Sequence, residues 1–263
     1  MPFARSNGFK VRFEVSGDGP PVLLHPGMFQ DGAHWAHAGY TQALSDAHTV
    51  ITVDPLGMGA SDAPRDAAAY TLQRRVDVVT AVLDDVGVER AAFWGYSLGA
   101  MTGYAIAVYA PERLTRLVAG AFDPIGGFRS AVDQAIDALG LPADVDAYEI
   151  VKQGAYANPY QAALIDAGDL GAFRANYDAF SRQPGLHREL AASGVPMLLY
   201  AGTEDPWHQP MRQFAQRTGS GFFSIPGADH QRGWESAPEV LPHVRPFLET
   251  DAERRRPQWP GCE

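Results

Sequence analysis

Apolar and polar residues alternate through Phe9-Lys10-Val11-Arg12-Phe13-Glu14-Val15, the period of two expected of a strand with one solvated face. Asn7-Gly8 just before it is a hairpin turn signal, so the pattern predicts an antiparallel edge pair near the N-terminus. Residues 21–25 and 49–54 are instead short continuous apolar runs, as parallel strands covered on both faces require. Between them residues 33–45 read as one helix. Residues 71–86 carry Leu72, Val76, Val79, Val82, Leu83 and Val86 on a single stripe of period near 3.6, which predicts a helix packed along one face. Further strands are predicted at 91–94, 114–122, 196–201 and 221–225, and further helices at 100–110, 210–217 and 238–249. Strand and helix alternate, so the fold class is α/β, with a doubly wound, mostly parallel sheet. Residues 125–190 break this rhythm. They contain no strand pattern, read as short helices interrupted by Gly140, Pro142, Pro159 and Gly171, and are too long for an ordinary loop. They are expected to form a helical cap inserted between two strands. The expected division is a core of residues 1–124 and 191–250, the cap at 125–190 and a tail at 251–263.

The most informative local pattern is Gly95-Tyr96-Ser97-Leu98-Gly99, placed between a predicted strand and a predicted helix. A serine on a sharp strand-to-helix turn crowds its neighbours, so the positions two before and two after it must lack a Cβ. The same turn puts Ser97 at a helix N-terminus, where free N–H groups and the helix dipole favour the negative charge that forms in acyl transfer. A Gly-Ser turn with no chemistry is the alternative, and the strand and helix on either side favour a nucleophile.

Composition narrows the class of partner. The 263 residues are 46% hydrophobic and 20% charged, as in an ordinary globular chain. A net charge of -10 argues against nucleic acid or an anionic membrane as the main partner. Basic character is concentrated in Arg254-Arg255-Arg256, read as a solvated end. The single cysteine, Cys262, allows no intramolecular disulfide, multi-cysteine metal site or embedded thiol nucleophile. No run approaches membrane-spanning length and the first residues lack the apolar core of a secretion signal, so a cytoplasmic location is expected. No phosphate loop, dinucleotide fingerprint or metal-ligand spacing is present, so neither cofactor nor metal is expected; Gly57-Met58-Gly59 lacks the third glycine of a dinucleotide turn.

With these elements in order, the chain from Phe9 to about Leu248 resembles the α/β-hydrolase superfamily, as a serine esterase-like member with a short helical cap. Four motifs besides the elbow carry the resemblance. His25-Pro26-Gly27 is similar to the family's His-Gly oxyanion loop, and Asp54-Pro55-Leu56-Gly57-Met58-Gly59-Ala60-Ser61 to its Asp-x-x-Gly-x-Gly-x-Ser loop. Gly202-Thr203-Glu204-Asp205 resembles the segment bearing the triad acid, and Gly227-Ala228-Asp229-His230 the one bearing the triad histidine. The resemblance implies Ser97 as nucleophile, His230 as base and Asp205 as the acid that orients it, in the chain order this fold uses. Asp123, after the strand that follows the elbow helix, is the alternative acid. His208 is a second candidate base, placed before a helix rather than after the final strand. His25 is expected to buttress the oxyanion loop, and His34, His37, His48, His187 and His243 to lie at the surface or in packing.

An oxyanion hole needs two backbone N–H groups, one from the residue after the nucleophile, here Leu98. Pro26 has no N–H, which leaves Gly27 as first choice for the other and Met28 as second. Substrate contact is expected from Phe29, Tyr96, Trp207 and Trp234. The cap aromatics Phe128, Tyr148, Tyr156, Tyr160, Phe173, Tyr177 and Phe180 are expected mainly to hold the cap helices together. Arg129 and Arg232 are the arginines able to reach a substrate carboxylate.

A serine at the elbow argues against the haloalkane dehalogenases and epoxide hydrolases of this fold, which use a carboxylate there. The leading expectation is hydrolysis of a small or medium carboxylic ester or lactone through an acyl-enzyme. Carbon-carbon bond hydrolysis and cofactor-free haloperoxidase chemistry use the same residues and stay open, as does a ligand-binding or receptor-like role without catalysis. Nothing in the sequence fixes the oligomeric state.

Overall fold

The computed structural model describes residues 2–138, 140–142 and 144–249. Its eight-stranded sheet has the order β1-β2-β4-β3-β5-β6-β7-β8. Strands β1 (Phe3–Ser6) and β2 (Phe9–Ser16) pair antiparallel about the Asn7-Gly8 turn, where both residues take the positive φ that such a turn demands. Strand β2 is also antiparallel to β4 (Thr49–Val53). The remaining strands, β3 (Pro21–His25), β5 (Ala91–Tyr96), β6 (Leu114–Gly120), β7 (Met197–Gly202) and β8 (Gly221–Ile225), pair in parallel, and β3 pairs in the same sense with β4. All six residues of β5 and all six of β7 are buried, which is why both appear in the sequence as unbroken apolar runs.

Residues 33–45 form two helices instead of the single one expected: α1 (Ala33–His37) and α2 (Tyr40–Ser45). Gly39, at φ 86°, turns the chain left-handed between them. Helix α3 (Leu72–Val86) matches its stripe. Thr71 caps its start by accepting from Arg74 N, and Gly87 closes it in the left-handed region. Helix α4 (Leu98–Tyr109) is buried almost all round, packing on β5 and β6 and against α3. Between β6 and β7 the described residues form five helices and no strand: α5 (Gly127–Ala138), α6 (Ala147–Ala155), α7 (Pro159–Ala167), α8 (Leu170–Phe180) and α9 (His187–Ala192). Asp146, Asn158 and Asp169 cap α6, α7 and α8, so side-chain caps mark where these short helices begin. The core closes with α10 (His208–Thr218), α11 (His230–Glu235) and α12 (Ala237–Leu248). Trp35, Tyr40, Trp94 and Trp234 form one edge-to-face aromatic cluster, and the Tyr40 hydroxyl donates to the Trp234 carbonyl at 2.9 Å, fixing α2 to α11. No helix of the described residues is long and apolar enough to cross a membrane. Cys262 and Arg254-Arg255-Arg256 lie outside the described residues.

Candidate active site

The sheet delivers three side chains to one rim. Strand β5 ends at Tyr96 and α4 begins at Leu98, so Ser97 makes the whole turn, at φ 55° and ψ −117°. A non-glycine residue there stores backbone strain. The turn is held by the Ser97 N–H, which donates to the Gly120 carbonyl at 2.8 Å. A Cβ on Gly95 would collide with the Gly99 backbone, and one on Gly99 with the His25 carbonyl oxygen, which accounts physically for the spacing of glycines around the serine. Asp205 follows β7, and His230 opens α11 after β8.

His230 Nδ1 lies 2.7 Å from Asp205 Oδ2, and His230 Nε2 lies 3.2 Å from Ser97 Oγ. A carboxylate accepts only from an N–H, so Nδ1 carries the proton and the lone pair of Nε2 faces the hydroxyl. The Asp205 side chain is fully buried, and its other oxygen accepts from the Trp207 N–H at 2.9 Å. The imidazole itself is 39% exposed. It is framed by the rings of Tyr96, at 5.3 Å, and Trp207, at 5.0 Å edge to face. Asp123 is not part of this line. Its carboxylate accepts from Ile125 N and Ser130 Oγ, and burial raises its pKa. His208 is likewise engaged elsewhere, 2.8 Å from Ser224 Oγ.

The Leu98 N–H sits in the first turn of α4, where no intrahelical acceptor exists for it. Gly27, the first choice for a second donor, has its N–H taken by Gln30 Oε1 at 2.8 Å. Met28 N–H, the second choice, donates to no protein acceptor among the described residues. The sequence hid this because Gln30 reaches back three residues to occupy a backbone donor. His25 is buried behind the loop, with Nδ1 2.9 Å from the Pro26 carbonyl and a pKa lowered by burial to about 4. Asp54 ties the neighbouring loops, accepting from Gly32 N at 2.8 Å and Ala60 N at 2.9 Å.

Ser97 and His230 open onto a cavity of about 500 Å³. Phe29, Tyr96, Trp207 and Trp234 all line it, as do Gly27 and Met28. The cap contributes Phe128, Phe180, Ile150, Val151 and Gln161. Other cap aromatics do pack within or beneath the cap: Phe173 against Phe29, Tyr177 against Phe128, and Tyr156 on Asp166. Tyr160 reaches the core, donating to Asp31 Oδ1 at 3.0 Å and stacking on His37. His34 and His48 are buried, His34 against the rings of Tyr160 and Trp234. Among the described residues no lysine or arginine lines the cavity, whereas Glu204 and Asp229 do. Arg129 pairs with Asp133, and Arg232 points back to the Gly227 carbonyl. The wall therefore suits an uncharged, largely apolar guest. Among the described residues no cluster of metal-ligating side chains occurs. Gln30 and Gln161 are among the wall residues that the sequence did not bring forward. The spacing of Gln30 from Gly27 was a usable clue, while Gln161 carries no local signal.

A model of the alpha/beta hydrolase family matches residues 22–242. The 2-hydroxymuconate semialdehyde hydrolase of Pseudomonas sp. (strain CF600) is 34% identical over 112 residues, covering 42% of this chain and 39% of that protein. The chain spans less than half the length of the curated relatives it matches first. Among solved structures, the enol-lactonase from Burkholderia xenovorans LB400 superposes with a TM-score of 0.77 at 24% identity, covering 94% of this chain and 99% of that one. A thermophilic esterase from Thermogutta terrifontis gives 0.74 at 23% identity, covering 94% and 97%. At these identities the structural likeness concerns the fold.

Proposed function

The chain belongs to the alpha/beta hydrolase family, and from that premise we propose that it is a serine hydrolase of small to medium carboxylic esters or lactones, acting through an acyl-enzyme. The observation that carries this reading is the line Ser97 Oγ, His230, Asp205, at 3.2 and 2.7 Å, on the wall of a largely apolar cavity.

In this reading the ester carbonyl sits beside Ser97. As Oγ attacks the carbonyl carbon, its proton passes to His230 Nε2, and the buried Asp205 carboxylate stabilises the imidazolium. The oxygen that gains charge is met by the Leu98 and Met28 N–H groups, which need no reorganisation because the backbone fixes them. Collapse of the tetrahedral species breaks the bond to the alcohol oxygen, which takes the proton back from Nε2. Water then repeats the sequence on the acyl-serine, with His230 as base. In a lactone the freed alcohol remains part of the acyl chain, and the second step releases both as one hydroxy acid.

The wall favours ester and lactone cleavage over cleavage of a carboxylate-bearing ring-fission product. Among the described residues no lysine or arginine lines the cavity to pair with such an anion, and the nearest charges on its wall are the exposed carboxylates of Glu204 and Asp229. The test is turnover of short-chain aryl esters and of unsubstituted lactones by the purified protein and by Ser97→Ala. Hydrolysis by the wild type that the variant loses by three orders of magnitude or more supports the reading. Equal turnover by the variant overturns it.

A further inference from the structure

The loop that supplies the Met28 N–H is held from both sides by amide side chains. On one side Gln30 Oε1 takes the Gly27 N–H at 2.8 Å. On the other, Gln161 Nε2 donates to the Met28 carbonyl at 3.3 Å. The Gly27–Met28 peptide lies between these two bonds. The residue that follows, Phe29, is at φ 58°, a strained value for a bulky side chain that persists only where the surroundings impose it. Gln30 belongs to the loop itself, but Gln161 comes from α7, 133 residues away in the chain.

Helix α7 is well placed to transmit its own position. Its N-cap, Asn158, donates to Glu235 Oε1 at 2.7 Å on α11, the helix that begins with His230. Tyr160 in its first turn donates to Asp31 at the far end of the oxyanion loop. Gln161, 6% exposed, then reaches the Met28 carbonyl, while its own Oε1 has no partner. Its Nε2 is the part of the inserted helices bonded to the peptide next to the proposed donor.

We propose that Gln161 is a positioning residue: it fixes the Met28–Phe29 peptide and so aims the Met28 N–H at the developing oxyanion, making full activity conditional on the seating of α7. This rests on the assignment of Met28 as an oxyanion donor. The hydrogen bond acts on the transition state and not on substrate capture, because the Met28 N–H gains its partner only when charge forms.

The experiment compares wild type with Gln161→Met, which keeps the volume and loses the donor, and with Gln161→Glu, which keeps the shape and presents an acceptor to the Met28 carbonyl. Three quantities are read: kcat and KM for a short aryl ester, the inhibition constant of an aryl trifluoromethyl ketone that forms a hemiketal oxyanion on the serine, and the melting temperature. The expected result is a fall in kcat of about tenfold, less than loss of a direct donor, with KM within about twofold. The ketone should lose affinity by the same factor as kcat. Gln161→Glu should be at least as impaired, which keeps the test open if Gln161→Met does not fold. Unchanged kcat and ketone affinity in a folded variant would overturn the inference, as would an effect confined to KM, which would make Gln161 a substrate contact. A wild type that hydrolyses no ester and does not bind the ketone sinks the acyl-enzyme reading and this inference with it. Wild-type activity with unaffected variants sinks the inference alone.

Discussion

The Tyr96 hydroxyl donates to the backbone carbonyl of His230 at 2.7 Å, joining the residue before the nucleophile to the residue that faces it. The Tyr96 ring is buried, and burial raises its pKa well above the usual phenol value, so the group is a neutral donor at every pH of interest. His230 is far more exposed than its partner Asp205, so its placement depends on what holds its backbone. Tyr96→Phe keeps the ring in the cavity wall and removes only this bond. Its expected effect is a loss of about 1 kcal/mol in stability and a severalfold lower kcat at unchanged KM. A rise in KM alone, measured on the same short aryl ester, would instead make the hydroxyl a substrate contact.

Asp205 and Asp123 compete for the role of acid in the sequence, and geometry separates them. Asp205→Asn should cut kcat by about 10⁴, as expected when an imidazole loses the partner that fixes its tautomer. Asp123→Asn should leave kcat within about threefold, because Asp123 bonds to Ile125 N and Ser130 Oγ and not to His230. Steady-state kinetics of the two variants decide the matter. Comparable losses would refute the assignment.

Ser97 holds a backbone conformation that glycine adopts without strain. Both Ser97→Ala and Ser97→Gly should be inactive. Relief of strain should nevertheless make Ser97→Gly more stable than Ser97→Ala by about 1 kcal/mol. Urea titration of the pair measures the difference. An alanine variant at least as stable would show that the turn stores no strain.

Stability should fall on mild acidification. His25 is neutral in the fold, its pKa lowered to about 4 chiefly by burial, whereas in the unfolded chain it titrates near 6.5. Between these values the unfolded chain binds the extra proton. The contribution of His25 is therefore complete above pH 6.5 and is lost as pH drops toward 4. At 1.36 kcal/mol per unit, the step from pH 6.5 to 5 should cost about 2 kcal/mol. His34, lowered to about 4 mainly by burial, adds in the same direction. Asp31 and Asp123, raised chiefly by burial, oppose it just above their ordinary range, where their stability contribution falls as pH rises. Unfolding free energies at pH 7, 6 and 5 test the sign, and His25→Asn should flatten the slope. A protein as stable at pH 5 as at pH 7 would contradict it.

The sheet was legible because buried parallel strands leave unbroken apolar runs, and the turn at Ser97 because only glycine tolerates the close backbone contacts beside it. The helix break at Gly39 was missed, since apolar spacing continues across a residue whose φ alone redirects the chain. The short helix α11 was missed for a related reason. His230 begins this helix, and Asp229 caps it by accepting from Arg232 N. For the oxyanion loop, the missing N–H of Pro26 follows from covalent structure, and Leu98 follows from its place after the nucleophile. The choice between Gly27 and Met28 did not, because it depends on which backbone donor a glutamine side chain has already occupied.

The sequence by itself determined the sheet's strands, the serine turn and the residues able to do acyl chemistry, since these rest on periodicity, steric limits and the inventory of functional groups along a local stretch. Only the tertiary structure decided which acid meets the histidine, which N–H is free and what the cavity wall presents. Those outcomes depend on distances between residues such as Asp205 and His230, or Gln161 and Met28, that are far apart in the chain and are set by how strands and helices pack.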